Sequence, residues 1–178
     1  MDKLTQFKHW QVFIYLMVVP AFIPDNETGE YIFVIYGFLF LVWLLKINEE
    51  LHKRLPDGRS LNLSLLQINL VISFLYVTAI HLLTEGYHIS SEQDNYAIYG
   101  WKMWVYIPFT FYILYSYGYL VHFTAYSIHL IEKKLYGKST EYTALLLGLF
   151  FFPIGIWLVQ PKINRILSTP VAEEITSS

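Results

Sequence analysis

The chain contains no cysteine. Disulfides, thiolate metal sites and cysteine nucleophiles are excluded together, and the absence says nothing about redox compartment. Charge is scarce as well: 15% of residues are charged and 55% hydrophobic, both outside the soluble average. None of the 14 acidic or 12 basic residues falls inside the apolar blocks Trp10–Ile23, Tyr31–Leu45, Leu61–Thr84, Met103–Ile131 and Ala144–Val159. A soluble helix carries a charged face, and these segments carry none. Catalytic templates are missing too. There is no HExxH, no GxSxG, no Walker loop and no DxD pair, and no carboxylate lies within a block to serve as acid or base. The sequence gives no reason to expect an enzyme, a cofactor or a metal.

What is present is apolar length. The third and fourth blocks exceed the ~20 residues that cross a hydrocarbon core, whereas the first two must borrow flanking residues or thin the bilayer. The chain therefore reads as an all-α integral membrane protein with four transmembrane helices plus a fifth apolar segment. Residues 1–167 form a single polytopic domain, and 168–178 form a polar tail expected to be disordered. The first run follows lysines, as a signal peptide would, but ends in Pro20-Ala21-Phe22-Ile23-Pro24 without a small-x-small cleavage site. It reads as a retained anchor.

Basic residues alternate between the connections. Lys3 and Lys8 precede the first block, Lys46, Lys53, Arg54 and Arg59 follow the second, and Lys133, Lys134 and Lys138 follow the fourth. The positive-inside rule places these nine, and the N-terminus, in the cytoplasm. The intervening loop Glu85–Lys102 falls outside, with Tyr87, Tyr96, Tyr99, Trp101, Trp104 and Tyr106 as an aromatic belt. The second span is expected to continue as a helix through Lys46–Leu55, supported by Glu49/Lys53 and Glu50/Arg54 at i,i+4. Pro56-Asp57-Gly58 then ends it. A fifth crossing at 143–159 would carry Lys162 and Arg165 outside. A re-entrant or interfacial segment broken at Phe152-Pro153-Ile154-Gly155 would keep them inside, and either course is open to sixteen-odd apolar residues.

The candidate functional residues lie on the fourth span. At 100° per residue, Tyr112, Tyr115, Tyr119, His122, Tyr126 and His129 share an arc of roughly 100°. Gly118 and Ala125 sit beside it, where another helix could approach. Hydrogen-bonding tips avoid lipid, so the stripe reads as an interhelical interface, the wall of a pore between copies, or a ligand pocket. The third span offers Gln67, Thr78 and His81 on one face, with Asn69, Ser73 and Tyr76 roughly opposite. His122 and His129 stand about 10 Å apart along a helix, too far to share one metal.

The run Phe151-Phe152-Pro153-Ile154-Gly155-Ile156-Trp157, with Gln160-Pro161 and Ile163-Asn164, and the opening Lys8-His9-Trp10-Gln11, resemble small four-helix membrane proteins of bacterial genomes. The resemblance implies a bacterial inner membrane and names no activity. By analogy of size and architecture, such proteins can act as membrane effectors paired with a separate sensor. The expected function is a small homo-oligomeric channel or membrane-perturbing effector, with the fourth-span stripe lining or gating the pore. The alternative is a non-catalytic adapter that binds another membrane protein through the same stripe. The expected partners are the lipid bilayer, further copies of the chain and a regulatory protein; no nucleic acid is expected.

Overall fold

The computed structural model describes residues 8–24, 26–56, 61–83 and 101–169. Among them all regular structure is helical: α1 (His9–Phe13), continued by a π turn at Ile14–Val18 and a 3-10 turn at Val19–Phe22, then α2 (Glu27–His52), α3 (Leu63–Leu83), α4 (Trp101–Tyr136), α5 (Tyr142–Phe150) and α6 (Phe152–Ser168).

The first segment widens for a chemical reason. The Val19 amide bonds the Ile14 carbonyl five residues back. The next carbonyl in that pattern, Tyr15, would look to residue 20, a proline without an N–H. The Tyr36 hydroxyl of α2 supplies the missing donor at 3.1 Å, and the Tyr15 hydroxyl donates in return to the Tyr36 carbonyl at 2.8 Å. Their rings stack with centroids 4.6 Å apart. The segment thus runs antiparallel to α2 and is locked to it. At the connection, the Asn26 side chain accepts from the Gly29 amide at 3.0 Å and caps α2.

From there α3 packs on α2, with Phe74 closing over Gly37. The long α4 lies against α2, α3, α5 and α6. Tyr76 of α3 stacks on Phe109 of α4 with centroids 4.5 Å apart. Thr124 donates to Asn48 Oδ1 at 2.8 Å, a buried bond that pins α4 to α2. The main core gathers at one end, where Ile47, Leu51, Ile128, Ile131, Ile163 and Ile166 are sealed from solvent. Toward the other end large apolar side chains stand uncovered, with Tyr31 65% and Phe111 67% exposed.

Only part of the four-span expectation is met. Among the described residues one helix, Thr28–His52, joins the length and apolarity of a crossing; the apolar stretch Trp10–Phe22 is shorter, and of the 21 residues of α3 the side chains are described, and apolar on average, over Leu63–Ala79. Four spans are not supported on that measure. The first block is short in residues, and tyrosine, serine and histidine dilute the apolarity of α4. Within α2, the helix stops at His52 rather than Leu55, and Lys53 bonds Glu49 and Glu50, each at 2.8 Å. The Glu49 bond to Lys53 holds that carboxyl below its usual range. Both groups are solvated, so the pair adds little to stability.

The C-terminal apolar segment does not run straight. The chain breaks at Phe151 (φ −91°, ψ 50°) and Pro153 falls in the first turn of α6, where its lack of an N–H removes no helical bond. This puts α5 and α6 in an antiparallel hairpin that returns Lys162 to Thr140, with Nζ 2.6 Å from Oγ1. The contact between the arms is backbone on backbone: a Cβ at Gly155 would fall on the Gly148 carbonyl group. The expected break at 152–155 lies one residue earlier. The tail beyond Thr169, Asp57-Gly58, and the belt residues Tyr87, Tyr96 and Tyr99 lie outside the described residues, as do the side chains of Trp101, Trp104 and Tyr106.

Candidate functional site

The six residues of the α4 stripe meet different neighbours. Toward α3, the Tyr112 hydroxyl donates to Asn69 Oδ1 at 2.9 Å and the Tyr119 hydroxyl to the Asn62 carbonyl at 3.2 Å. Toward α5, His122 Nδ1 lies 2.7 Å from the Tyr142 hydroxyl. Tyr126 stacks on His122 and meets Tyr142 edge-on. Toward the C-terminus of α4, His129 Nδ1–H donates to the Thr140 carbonyl at 2.9 Å. Tyr115 stays 54% exposed. Five of the six therefore fasten α4 to other parts of its own chain. Tyr115 and His122 face outward around Gly118, where an added Cβ would meet nothing within 4 Å.

On α3 the residues turned toward α4 are those opposite the Gln67 face. Asn69 is buried and bonded to Tyr112, and Tyr76 is stacked on Phe109. Gln67 is half-buried, Thr78 lines a cavity between α2 and α3, and the side chain of His81 lies outside the described residues.

Two constellations at the end of the bundle where α6 terminates escaped the sequence reading. Arg54 is 6% exposed, and its guanidinium donates to the carbonyls of Ile166 (2.9 Å), Thr169 (2.7 Å) and Leu167 (3.2 Å). These carbonyls lie at the C-terminus of α6, where the Ile166 carbonyl also accepts the Thr169 amide at 3.3 Å and the helix dipole favours a cation. Glu132, also 6% exposed, accepts the Thr140 amide at 2.8 Å and Lys162 Nζ at 3.3 Å. Close by, Gly137 ends α4 with φ +65°, a conformation other residues adopt with strain. Arg165 lies 4.0 Å over the Tyr136 ring. Arg54, Lys162 and Arg165 thus converge on one end of the bundle from parts of the sequence more than a hundred residues apart. The only sequence signal for Glu132 was a carboxylate directly abutting an apolar block, masked by its neighbours Lys133 and Lys134.

Burial pushes the Glu132 carboxyl up, but the Thr140 hydrogen bonds and Lys162 outweigh it and hold it below its usual value. A lowered folded value contributes stability above the unfolded carboxylate range, and that stability disappears as pH falls through the folded value. The difference in melting temperature between wild type and Glu132→Gln should therefore be widest near pH 7 and close below about pH 4. A gap that stays constant from neutral to acid pH would show that the carboxylate contributes nothing through its charge.

Among the described residues there is no group of three or more histidine, aspartate or glutamate side chains placed to hold a metal ion. No family model, curated protein or solved structure matches the chain.

Proposed function

We propose that the chain is a four-span helical protein of a bacterial inner membrane, N-terminus cytoplasmic, that works as a homo-oligomer with the outward edge of α4 walling a narrow polar path between copies. Burial supports the membrane setting. Only 17% of the most apolar window of α2 is buried, whereas the core helix of a soluble protein would be largely covered. Uncovered apolar side chains on α2, α3 and α4 exceed what a monomer in water tolerates. The convergence of Arg54, Lys162 and Arg165 on one end matches the charge asymmetry of a cytoplasmic face. The α1 segment pairs with α2 in antiparallel register, so a short, locally thinned first crossing is consistent with its contacts.

The observation that carries the functional reading is the notch at Gly118. It interrupts an exposed face that is apolar at Ile107, Phe111 and Leu114 and polar at Tyr115 and His122. A second helix can approach closely at a glycine in lipid, and the flanking phenol and imidazole would then face a shared interior. Tyr142 ties His122 to the hairpin, giving a route by which hairpin movement reaches the path. A non-catalytic adapter that seats a different membrane protein in the same notch is the second reading.

The test is the mass of the nanodisc-held protein, with ion flux from liposomes of the same preparation. The channel reading expects a closed oligomer, disulfide-linked dimers from Gly118→Cys in a chain with no other cysteine, and flux that falls for His122→Ala at unchanged mass. A monomer without flux contradicts it, and a different protein retained by wild type but lost with Gly118→Leu would favour the adapter.

A further inference from the structure

Between α2, α3, α4 and the hairpin lies a cavity of about 260 Å³. Carbon lines almost all of it, although several of its wall residues carry polar atoms. Trp43 Nε1, Ser73 Oγ, Ser116 Oγ and Gln160 Oε1 are buried out of contact with the space. The side chains of Asn48, Tyr117 and Thr124 bond the carbonyls of Leu44, Leu149 and Leu120. A water held in such a space needs about two to four polar partners, and this wall offers it carbon. Apolar cavities of ~150 Å³ already take up benzene-sized guests. The volume here admits a segment of hydrocarbon.

The position of the cavity narrows what can reach it. Its half-buried wall residues, Phe40, Ser73 and Tyr117 among them, mark the side on which it opens. Each stands within two residues of the centre of its apolar block, Tyr31–Leu45, Leu61–Thr84 and Met103–Ile131 respectively. Three helices thus place the opening at one depth, the middle of the bilayer. The buried wall residues Ile47 and Ile163 belong to the core at the basic end, and Ile47 lies about 10 Å of helical rise beyond Phe40. A charged headgroup or hydrated solute meets a heavy cost at mid-depth. What a bilayer presents there is the methyl ends of its hydrocarbon chains.

We infer that this cavity binds the methyl-terminal segment of one unbranched hydrocarbon chain, which enters at mid-depth beside Phe40 and points toward Ile47. A phospholipid and a free fatty acid carry this same chain. The inference rests on the membrane setting proposed above. It does not depend on association of copies or on flux, because the cavity lies within a single chain.

Photolabelling of the full-length protein in nanodiscs tests it. Two probes are used separately: phosphatidylglycerol and palmitic acid, each with a diazirine near the methyl end of a chain. Carbene adducts are then mapped by mass spectrometry. Adducts are expected on Val121, Val159 or Ile163, none of them more than 4% exposed, as well as on outward residues such as Ile68, Leu75 and Leu114. Cavity adducts from the phospholipid, from the fatty acid or from both identify the source. Val121→Phe, which fills the space, should lose the cavity adducts and keep the outward ones, whose retention shows that the variant is folded. If that variant fails to fold, Ile113→Phe on the open side takes its place. Adducts confined to outward residues with both probes, or cavity adducts undiminished in the filled variant, would overturn the inference and leave the membrane setting intact. Absence of outward adducts would overturn both.

Discussion

Gly155→Ala is expected to open the C-terminal hairpin and to cost the fold more than about 3 kcal/mol. The new methyl would fall on the Gly148 carbonyl group and within 2.7 Å of the Gly148 Cα. All of these obstacles are backbone, so no side chain can rotate away, and α5 and α6 must separate along their contact. That separation exposes Ile156 and Val159, both 1% exposed. The reverse substitution provides the control. A Cβ at Gly148 would meet Leu158 Cδ2 at 3.4 Å and Val159 Cγ2 at 3.6 Å, ordinary contacts. Gly148→Ala should therefore melt close to wild type while Gly155→Ala melts far below it, measured by thermal unfolding in one detergent. Equal melting temperatures would mean that the arms are not in backbone contact.

The second large effect is expected at Arg54. Arg54→Met leaves the carbonyls of Ile166, Leu167 and Thr169 without their shared donor. A hydrogen bond to a charged group contributes ~1.5–3 kcal/mol, and methionine refills part of the volume. A net loss of about 3 kcal/mol is expected once relaxation of the α6 end is allowed for. Arg54→Lys should restore only part of it, because a single ammonium cannot span three carbonyls held by a planar fork. Denaturant unfolding of the three proteins gives the order wild type, lysine, methionine. A lysine variant as stable as wild type would reduce the role of Arg54 to its charge.

These two sites mark where sequence reading stopped. Helical class followed from uncharged apolar runs, since each length pattern and boundary is local to its run. The continuation of α2 to His52 was legible because Glu49 and Lys53 are neighbours on one turn. Arg54 was read as the partner of Glu50 by the same local rule, and that rule could not show the three carbonyls it also reaches, 112 to 115 residues away. No periodicity encodes such a distance. The stripe on α4 was legible as a set of polar tips on one arc. Which member meets α3, which meets α5 and which faces outward depends on neighbours, and a helix with polar tips scattered among apolar residues gives little amphipathic signal to choose among them. The π turn needed Pro20 and Tyr36 to be seen together.

The central claim is that the bundle lies across a membrane with its basic end and its hairpin on one side. Because the chain has no cysteine, single-cysteine variants report accessibility without background. Lys138→Cys, Ser168→Cys and Ser90→Cys should each be probed in intact bacterial cells with a membrane-impermeant maleimide, then again after permeabilisation. The account predicts labelling of Ser90→Cys in intact cells, and of Lys138→Cys and Ser168→Cys only after permeabilisation. Labelling of Ser168→Cys from outside would show that residues 143–159 cross the membrane, and protection of Ser90→Cys in intact cells would contradict the orientation itself.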